Sequence, residues 1–456
     1  MIAEPDQVIF DEVHFGNFSS WYIKNEFHFD IHPPLGKMIM AGIAKATQYK
    51  GDIEYASKFG EPYGINELFY VSQRITPAIF SAMTSPLLFA AARCLSLSTF
   101  SSAMIGLILT SDISLIVEGK FILSDGILHF FVALHIFALC HFLVRPTFIN
   151  TLIDGITLGC AFSCKYTALG LLAVDGITQI VWIFRTFPSI VSIIKRALSL
   201  LVPAFSVLYG VWVIHFIITP YTGYNSFYLQ QQHQHTIFDR QKLNYTYWGD
   251  RMIRSPLIIR ILNWNEVMNG VNMRSAIPHI SESQPINWPL FMDRWVFFYS
   301  DNVSREINCM ANPLLYWFVF IGIVLTVILA PFRVPDYRNA LFTWGWAVSY
   351  FPFILVPRTM FLYHYLIPLM FGIMNLVTIL DNMFSMKHKY GVIAAVALVC
   401  FLSYAFFSPM AYGTPCPDCK YSRVWTDRWR QGPPKPMNLY GVEMFNTTEK
   451  LRQLPL

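Results

Sequence analysis

The chain has 456 residues, of which 54% are hydrophobic and only 13% charged, with a formal net charge of +5. A soluble globular domain carries about 25% charged residues, so composition excludes that class, and nothing in the basic residues points to a nucleic-acid binder. What remains is an all-α polytopic membrane protein, because helices are the economical way to carry long apolar runs across a bilayer.

The chain opens Met1-Ile-Ala-Glu-Pro-Asp, without the basic stretch and apolar core of a secretory signal peptide. Polar chemistry is then concentrated in one segment that holds Asp11, Glu12, His14, Asp30, His32 and Lys37. Pro33-Pro34 forbids helix at the residue before it, so Asp30-Ile31-His32 is expected to be extended, with a helix starting near Leu35. Residues 1–74 contain no run of the roughly 20 apolar residues that a span needs, although Met38 to Ala46 reads as a short interfacial helix.

Spans are expected near residues 77–92, 99–117, 126–143, 151–164, 168–185 and 197–218. A polar and aromatic loop over 219–312 follows, then spans near 313–332, 340–357, 361–381 and 391–408, and a tail over 409–456. With about ten crossings, Arg93, Arg145, the Arg185 to Arg196 loop, Arg333 with Arg338, and Lys387 with Lys389 all fall on one side, as the positive-inside rule requires. Residues 1–74, the 219–312 loop and the tail then share the opposite, lumenal or extracellular, face.

Ionisable residues at membrane level are costly and so are functional candidates. Arg74, Asp125, Lys165, Arg358 and His364 each fall at the outer end of an expected span, level with Asp11 and Glu12. Three cations beside a carboxylate cluster point to an anionic ligand, most simply a phosphate, next to a general base. Taken singly, each cation also reads as a snorkelling side chain, Asp125 as a helix cap, His364 as a packed ring and Asp11-Glu12 as a solvated loop; their common depth argues for function. Of eight cysteines, only Cys416 and Cys419 have a meaningful spacing, which favours a small disulfide or free thiols over zinc with absent partners. Sequons at Asn17, Asn244, Asn302 and Asn446 lie on the expected outer face.

The stretch FDEVHFGNFSSWYIKNEFHFDIHPPLGK resembles the first lumenal loop of the protein O-mannosyltransferases, membrane enzymes of the C-type glycosyltransferase superfamily. The resemblance continues through Tyr70-Val-Ser-Gln-Arg74, Leu123-Ser-Asp125-Gly, Cys164-Lys165-Tyr-Thr, Asn287-Trp288-Pro289, Ala311-Asn312-Pro313 with Trp317, and Arg358-Thr-Met-Phe-Leu-Tyr-His364-Tyr. It implies transfer of mannose from dolichyl phosphate mannose to Ser or Thr hydroxyls of secretory-pathway proteins, with inversion, in the endoplasmic reticulum membrane with the active site facing the lumen. By the family's aspartate-glutamate pair, Asp11 is the expected base, with Glu12 orienting the acceptor or supporting that base. Arg74, Lys165 and Arg358 are expected to hold the donor phosphate, with His14, Asp30, His32, Lys37, Asp125 and His364 in support. No cofactor is required and no metal-ligand spacing is seen; the expected partners are Ser/Thr-rich acceptors and a second family member in a homo- or heterodimer.

Two features depart from the family pattern. Only ten residues precede Asp11 where members carry a first transmembrane helix, so a shortened or anchorless start is expected. The 219–312 loop leaves no room for the MIR domain of eukaryotic members. The alternatives are a transferase acting on a glycolipid and a catalytically inactive partner subunit; retention of Asp11, Glu12, Arg74, Lys165 and Arg358 argues against the second.

Overall fold

The computed structural model describes residues 2–55, 60–63, 69–234, 236–240, 244–245, 256–274, 279–301 and 303–429. The N-terminal segment folds as α1 (Glu12–Ile23) and α2 (Leu35–Ala46), with α2 starting where the two prolines release the chain. The apolar runs that follow become α3 (Phe69–Cys94), α4 (Thr99–Leu109), α5 (Ile113–Lys120), α6 (Asp125–Val144), α7 (Phe148–Phe162), α8 (Gly170–Thr186) and α9 (Ile190–Ile218). The central loop contributes a short α10 (Gln231–Gln234), a hairpin of β1 (Phe238–Asp239) and β2 (Asn244–Tyr245), then α11 (Leu257–Arg274) and a hairpin of β3 (Val296–Ser300) and β4 (Glu306–Cys309). The second block is α12 (Pro313–Leu329), α13 (Tyr337–Tyr350), the single turn α14 (Pro352–Leu355), α15 (Leu366–Met383) and α16 (Lys389–Phe407).

Among the described residues, seven helices are long and apolar enough to cross a membrane, or eight if α4 and α5, bent by 62°, count as one broken span. The chain is therefore a multi-pass membrane protein. The expectation of about ten spans is not reached by this measure. α7 and α13 stand where spans were expected but have 15 and 14 residues, short of the roughly 20 that a bilayer core requires. The first span also begins at Phe69 rather than near residue 77, which puts Arg74 inside α3 instead of ahead of it.

Polar residues mark the ends and the break. Ser98, Asp112, Thr147, Ser189 and Asn312 each accept a backbone N–H at the start of a helix, which satisfies donors that a helix end leaves free. The break between α4 and α5 is held by Asn312, whose Nδ2 donates to Ser111 O at 2.9 Å and Cys400 O at 2.9 Å. Backbone freed at membrane depth is tolerated when buried protein partners take it up in this way. α15 is buried along most of its length and its Asn375 bonds to Gly322 O, Thr326 and Asn339, so the most enclosed helix carries its polar group fully paired.

The basic loops collect at one end of the bundle: Arg338 reaches Leu95 O and Asn382 Oδ1, and Lys389 pairs with Asp381 at 3.0 Å. The N-terminal segment packs over the other end. Its attachment is a fully buried ion pair in which Arg74 of α3 grips Glu12, Nε to Oε1 at 2.7 Å and an η nitrogen to Oε2 at 2.8 Å. Glu12 also accepts from Ile9 N, Tyr63 Oη and Ile122 N, so one carboxylate joins α1, α3 and the turn that leads into α6.

Helix contacts elsewhere are backbone-close. A Cβ on Gly155 of α7 would lie 2.3 Å from Leu200 O of α9. Since that neighbour is backbone, Gly155→Val is expected to cost about 1–3 kcal/mol through overpacking, measured as a lower unfolding midpoint in detergent. Arg74→Met strands the Glu12 charge in the interior and is expected to cost about 3–5 kcal/mol. Adding Glu12→Gln to that variant should restore part of the loss.

Candidate active site

Phe10 adopts a left-handed backbone (φ 45°) and stacks on Phe298 of β3 with ring centroids 4.3 Å apart. That turn places Asp11 at the N-cap of α1. Successive residues at a helix start point in different directions, and here the two carboxylates separate. Glu12 turns inward to Arg74. The Asp11 side chain makes no hydrogen bond among the described residues. Burial pushes the Asp11 carboxyl above the usual carboxylate range, against the opposing charges of His14 and Lys165.

The segment after α1 is locked by a second charge pair. Lys37 bonds the Asp30 carboxylate and donates to His32 O at 2.8 Å, while Asp30 Oδ1 accepts from Ile31 N at 2.7 Å. Leu35 N then donates to Ser163 O at 2.9 Å, and Gly36 passes so close to Ser124 that an added Cβ would meet Ser124 Cβ at 3.0 Å. These contacts seat the turn directly on the residues flanking Asp125 and Lys165. Lys165 Nζ donates to both oxygens of Asp125, at 2.6 and 2.8 Å, and lies 5.9 Å from the ring centre of Phe15 and 5.8 Å from that of Tyr363. Phe15 is one helical turn from Asp11, so the lysine sits between α1 and the Tyr363 segment.

Arg358 bonds Asn272 of α11 and the carbonyl of Thr359. It lines a cavity of about 360 Å³ with Ser283, Gln284, Phe353 and Pro357. His364 lies in a single 3-10 turn where Nδ1 contacts the Phe361 backbone, and its ring stacks on Tyr363 and, more distantly, Trp288. Burial, then the charges of Lys165, Lys37, Arg358 and His364, hold the His32 imidazole well below its ordinary range. The expected residues therefore gather at one end of the bundle, but not all in their expected roles.

Arg74 does not belong to a phosphate clamp. Its five N–H groups are spent on Glu12 and on the carbonyls of Ile2, Pro5 and Gln7. Glu12 is equally saturated and has no lone pair directed at an acceptor. Asp30 and Lys37 brace the turn rather than meet a ligand, and His14 points to the exposed face of α1. Lys165, with Asp125 as its counter-charge, and Arg358 are the cations left to face an anion. Cys416 and Cys419 are joined in a disulfide, and the tail beyond it returns Trp429 Nε1 to Phe291 O at 2.8 Å. Asn17 accepts from Tyr55 N through its side-chain oxygen; the Asn302 and Asn446 sequons and residues 430–456 lie outside the described residues.

Two residues escaped the sequence reading. Tyr363 is the ring against Lys165, hidden inside an aromatic run. Glu118 is a buried carboxylate that accepts from Cys309 Sγ at 3.3 Å and lies within the field of Asp125, Lys165 and Asp11. Its signal in the sequence is a carboxylate directly after the expected 99–117 span, inside an α5 that runs on to Lys120.

The comparisons place the chain in a family and a fold. Residues 1–233 match the family model described as dolichyl-phosphate-mannose-protein mannosyltransferase, and residues 258–430 match the C-terminal four-helix transmembrane region of protein O-mannosyltransferases. Similar proteins include dolichyl-phosphate-mannose–protein mannosyltransferase 3 of Saccharomyces cerevisiae, 34% identical over 186 residues, covering 39% of this chain and 24% of the relative. Mannosyltransferase 2 of Candida albicans is 32% identical over 189 residues, covering 40% and 24%. The alignments thus span about a quarter of the length of these relatives. The fold is that of the S. cerevisiae protein O-mannosyltransferase Pmt1-Pmt2 complex bound to the sugar donor, with a TM-score of 0.82 at 20% identity, over 94% of this chain and 90% of that one. With both halves matched and its charged loop seated on the same transmembrane fold, the chain belongs to the protein O-mannosyltransferase family.

Proposed function

We propose that this protein transfers mannose from dolichyl phosphate mannose to Ser or Thr hydroxyls of secretory-pathway proteins, with inversion at the anomeric carbon. The observation that carries the reading is the division of labour at Asp11-Glu12. One carboxylate is saturated and structural; its neighbour is half-buried and, among the described residues, unpaired, which leaves it free to take a proton. The acceptor oxygen attacks the anomeric carbon as the bond to the phosphate oxygen breaks. Asp11 takes the hydroxyl proton and dolichyl phosphate leaves as an anion. A phosphate leaves without needing a proton, so the site needs cations there, and Lys165 and Arg358 meet that need.

In this reading Asp125 keeps Lys165 in place until the donor arrives, and the Asp30–Lys37 turn keeps α2 against both. His32, held neutral, adds a hydrogen-bonding group without a further positive charge. The active site faces the endoplasmic reticulum lumen, since the site end lies opposite the basic loops. Pairing with a second family member follows the assembly named for the structural relative.

Asp11→Asn should lower the rate of transfer to a Ser/Thr-rich peptide about 10²–10⁴-fold, with the unfolding midpoint held or raised, because the variant removes a desolvated charge. A midpoint that falls with the rate would make Asp11 structural. Because burial raises the Asp11 pKa, turnover should depend on pH. It should fall as acid protonates the base, at a pH above the ordinary carboxylate range. Arg358→Ala should raise the KM for the donor about tenfold, the loss of a charged hydrogen bond, and mass analysis of the product separates peptide from glycolipid acceptors.

A further inference from the structure

A second polar cluster lies deep in the bundle. His135 of α6, Asp154 of α7 and Asp175 of α8 are each fully buried, and one donor atom from each lies within 4.8 Å of the other two. His135 Nδ1 is 3.4 Å from Asp154 Oδ1, and Nε2 is 3.5 Å from Asp175 Oδ2. Among the described residues, neither carboxylate accepts a hydrogen bond at either oxygen, and Nε2 has no hydrogen-bond partner.

The neighbouring threonine fixes the tautomer. Thr157 Oγ1 donates its hydrogen to Asp154 O at 2.9 Å, so toward His135 Nδ1, 3.3 Å away, it acts as an acceptor. Nδ1 therefore carries the proton, and the Nε2 lone pair faces the Asp175 carboxylate. Two sets of lone pairs 3.5 Å apart repel unless a proton or a cation lies between them. That spacing is close to the roughly 3.3 Å between donor atoms that share a tetrahedral ion at bond lengths of about 2.0–2.1 Å.

Charge leads to the same place. Arg196, the cation whose field reaches Asp154, is stacked on Phe142 and Trp182 and forms no ion pair with Asp154 among the described residues. Two uncompensated carboxylates at membrane depth cost several kcal/mol each; one divalent ion cancels both and uses their free oxygens. We propose that His135, Asp154 and Asp175 bind a divalent transition-metal ion, with zinc the best match to one imidazole and two carboxylates.

The ion is structural, not catalytic. His135 follows Asp125 by ten residues on α6, about 15 Å of helix, and Asp175 follows Lys165 by the same interval. A metal here ties α6, α7 and α8 together below the ends that carry the Asp125–Lys165 pair. Thr157 supplies the outer hydrogen bond that orients a ligating imidazole.

The test uses the full chain, purified in detergent without a polyhistidine tag and analysed for metal by plasma mass spectrometry. About one equivalent of zinc or a related divalent metal per chain is expected, falling at least tenfold in Asp154→Asn/Asp175→Asn. After chelation, added Co²⁺ should give the visible absorption of a low-coordinate site, zinc should bleach it, and zinc should raise the unfolding midpoint. Wild-type protein that holds no metal and gives no cobalt spectrum overturns the proposal whether or not the variant folds. Equal metal in wild type and a folded variant overturns it too, and assigns the cluster to protons shared among the three side chains.

Discussion

The buried pair between Glu12 and Arg74 is the constraint on which the site depends. A carboxylate and a guanidinium in an apolar bundle are tolerable only if every lone pair and donor is met. Here Glu12 accepts from five groups, and Arg74 fills its remaining valences with backbone carbonyls of the chain's first turn. The arrangement admits little play, since each partner lost would leave a buried charge exposed to its full desolvation cost. The segment ahead of α1 is thereby held as firmly as a helix.

That rigidity explains how adjacent acidic residues take opposite roles. Once Glu12 is drawn into the bundle, helix geometry turns Asp11 away from it, into a half-buried place that offers it no hydrogen bond among the described residues. The Asp30–Lys37 pair does the same for the following turn, and the contact of Leu35 N with Ser163 O hands that order on to Lys165. Most charges at this end of the bundle are thus paired for position, and few are left for reaction. The His135, Asp154 and Asp175 cluster, deeper in the bundle, is the exception, buried without partners sufficient to neutralise it among the described residues.

Much of this was legible in the sequence. Apolar runs located the helices, Pro33-Pro34 located the start of α2, and the basic residues marked the loops that meet at one end. Asp11, Lys165, Asp125, Arg358, His32 and His364 were recognised as neighbours. The roles of Glu12 and Arg74 were not legible, because a carboxylate and a cation near an expected phosphate look the same in sequence whether they meet the ligand or each other. α7 and α13 read as full spans because hydropathy does not say where a helix breaks, and Glu118 and Tyr363 were masked by the apolar and aromatic residues beside them.

The chain by itself determined that it resides in a membrane, roughly where each helix lies, and which short segment is rich in ionisable groups, because hydropathy, proline geometry and residue chemistry are local properties. Only the tertiary structure decided which charges are spent on one another. Glu12 meets Arg74 across 62 residues, Lys165 meets Asp125 across 40, and His135 meets Asp154 and Asp175 from three separate helices. Such pairings are set by which helix faces come together, and at low dielectric it is the pairing, rather than the residue type, that separates a working carboxylate from a structural one.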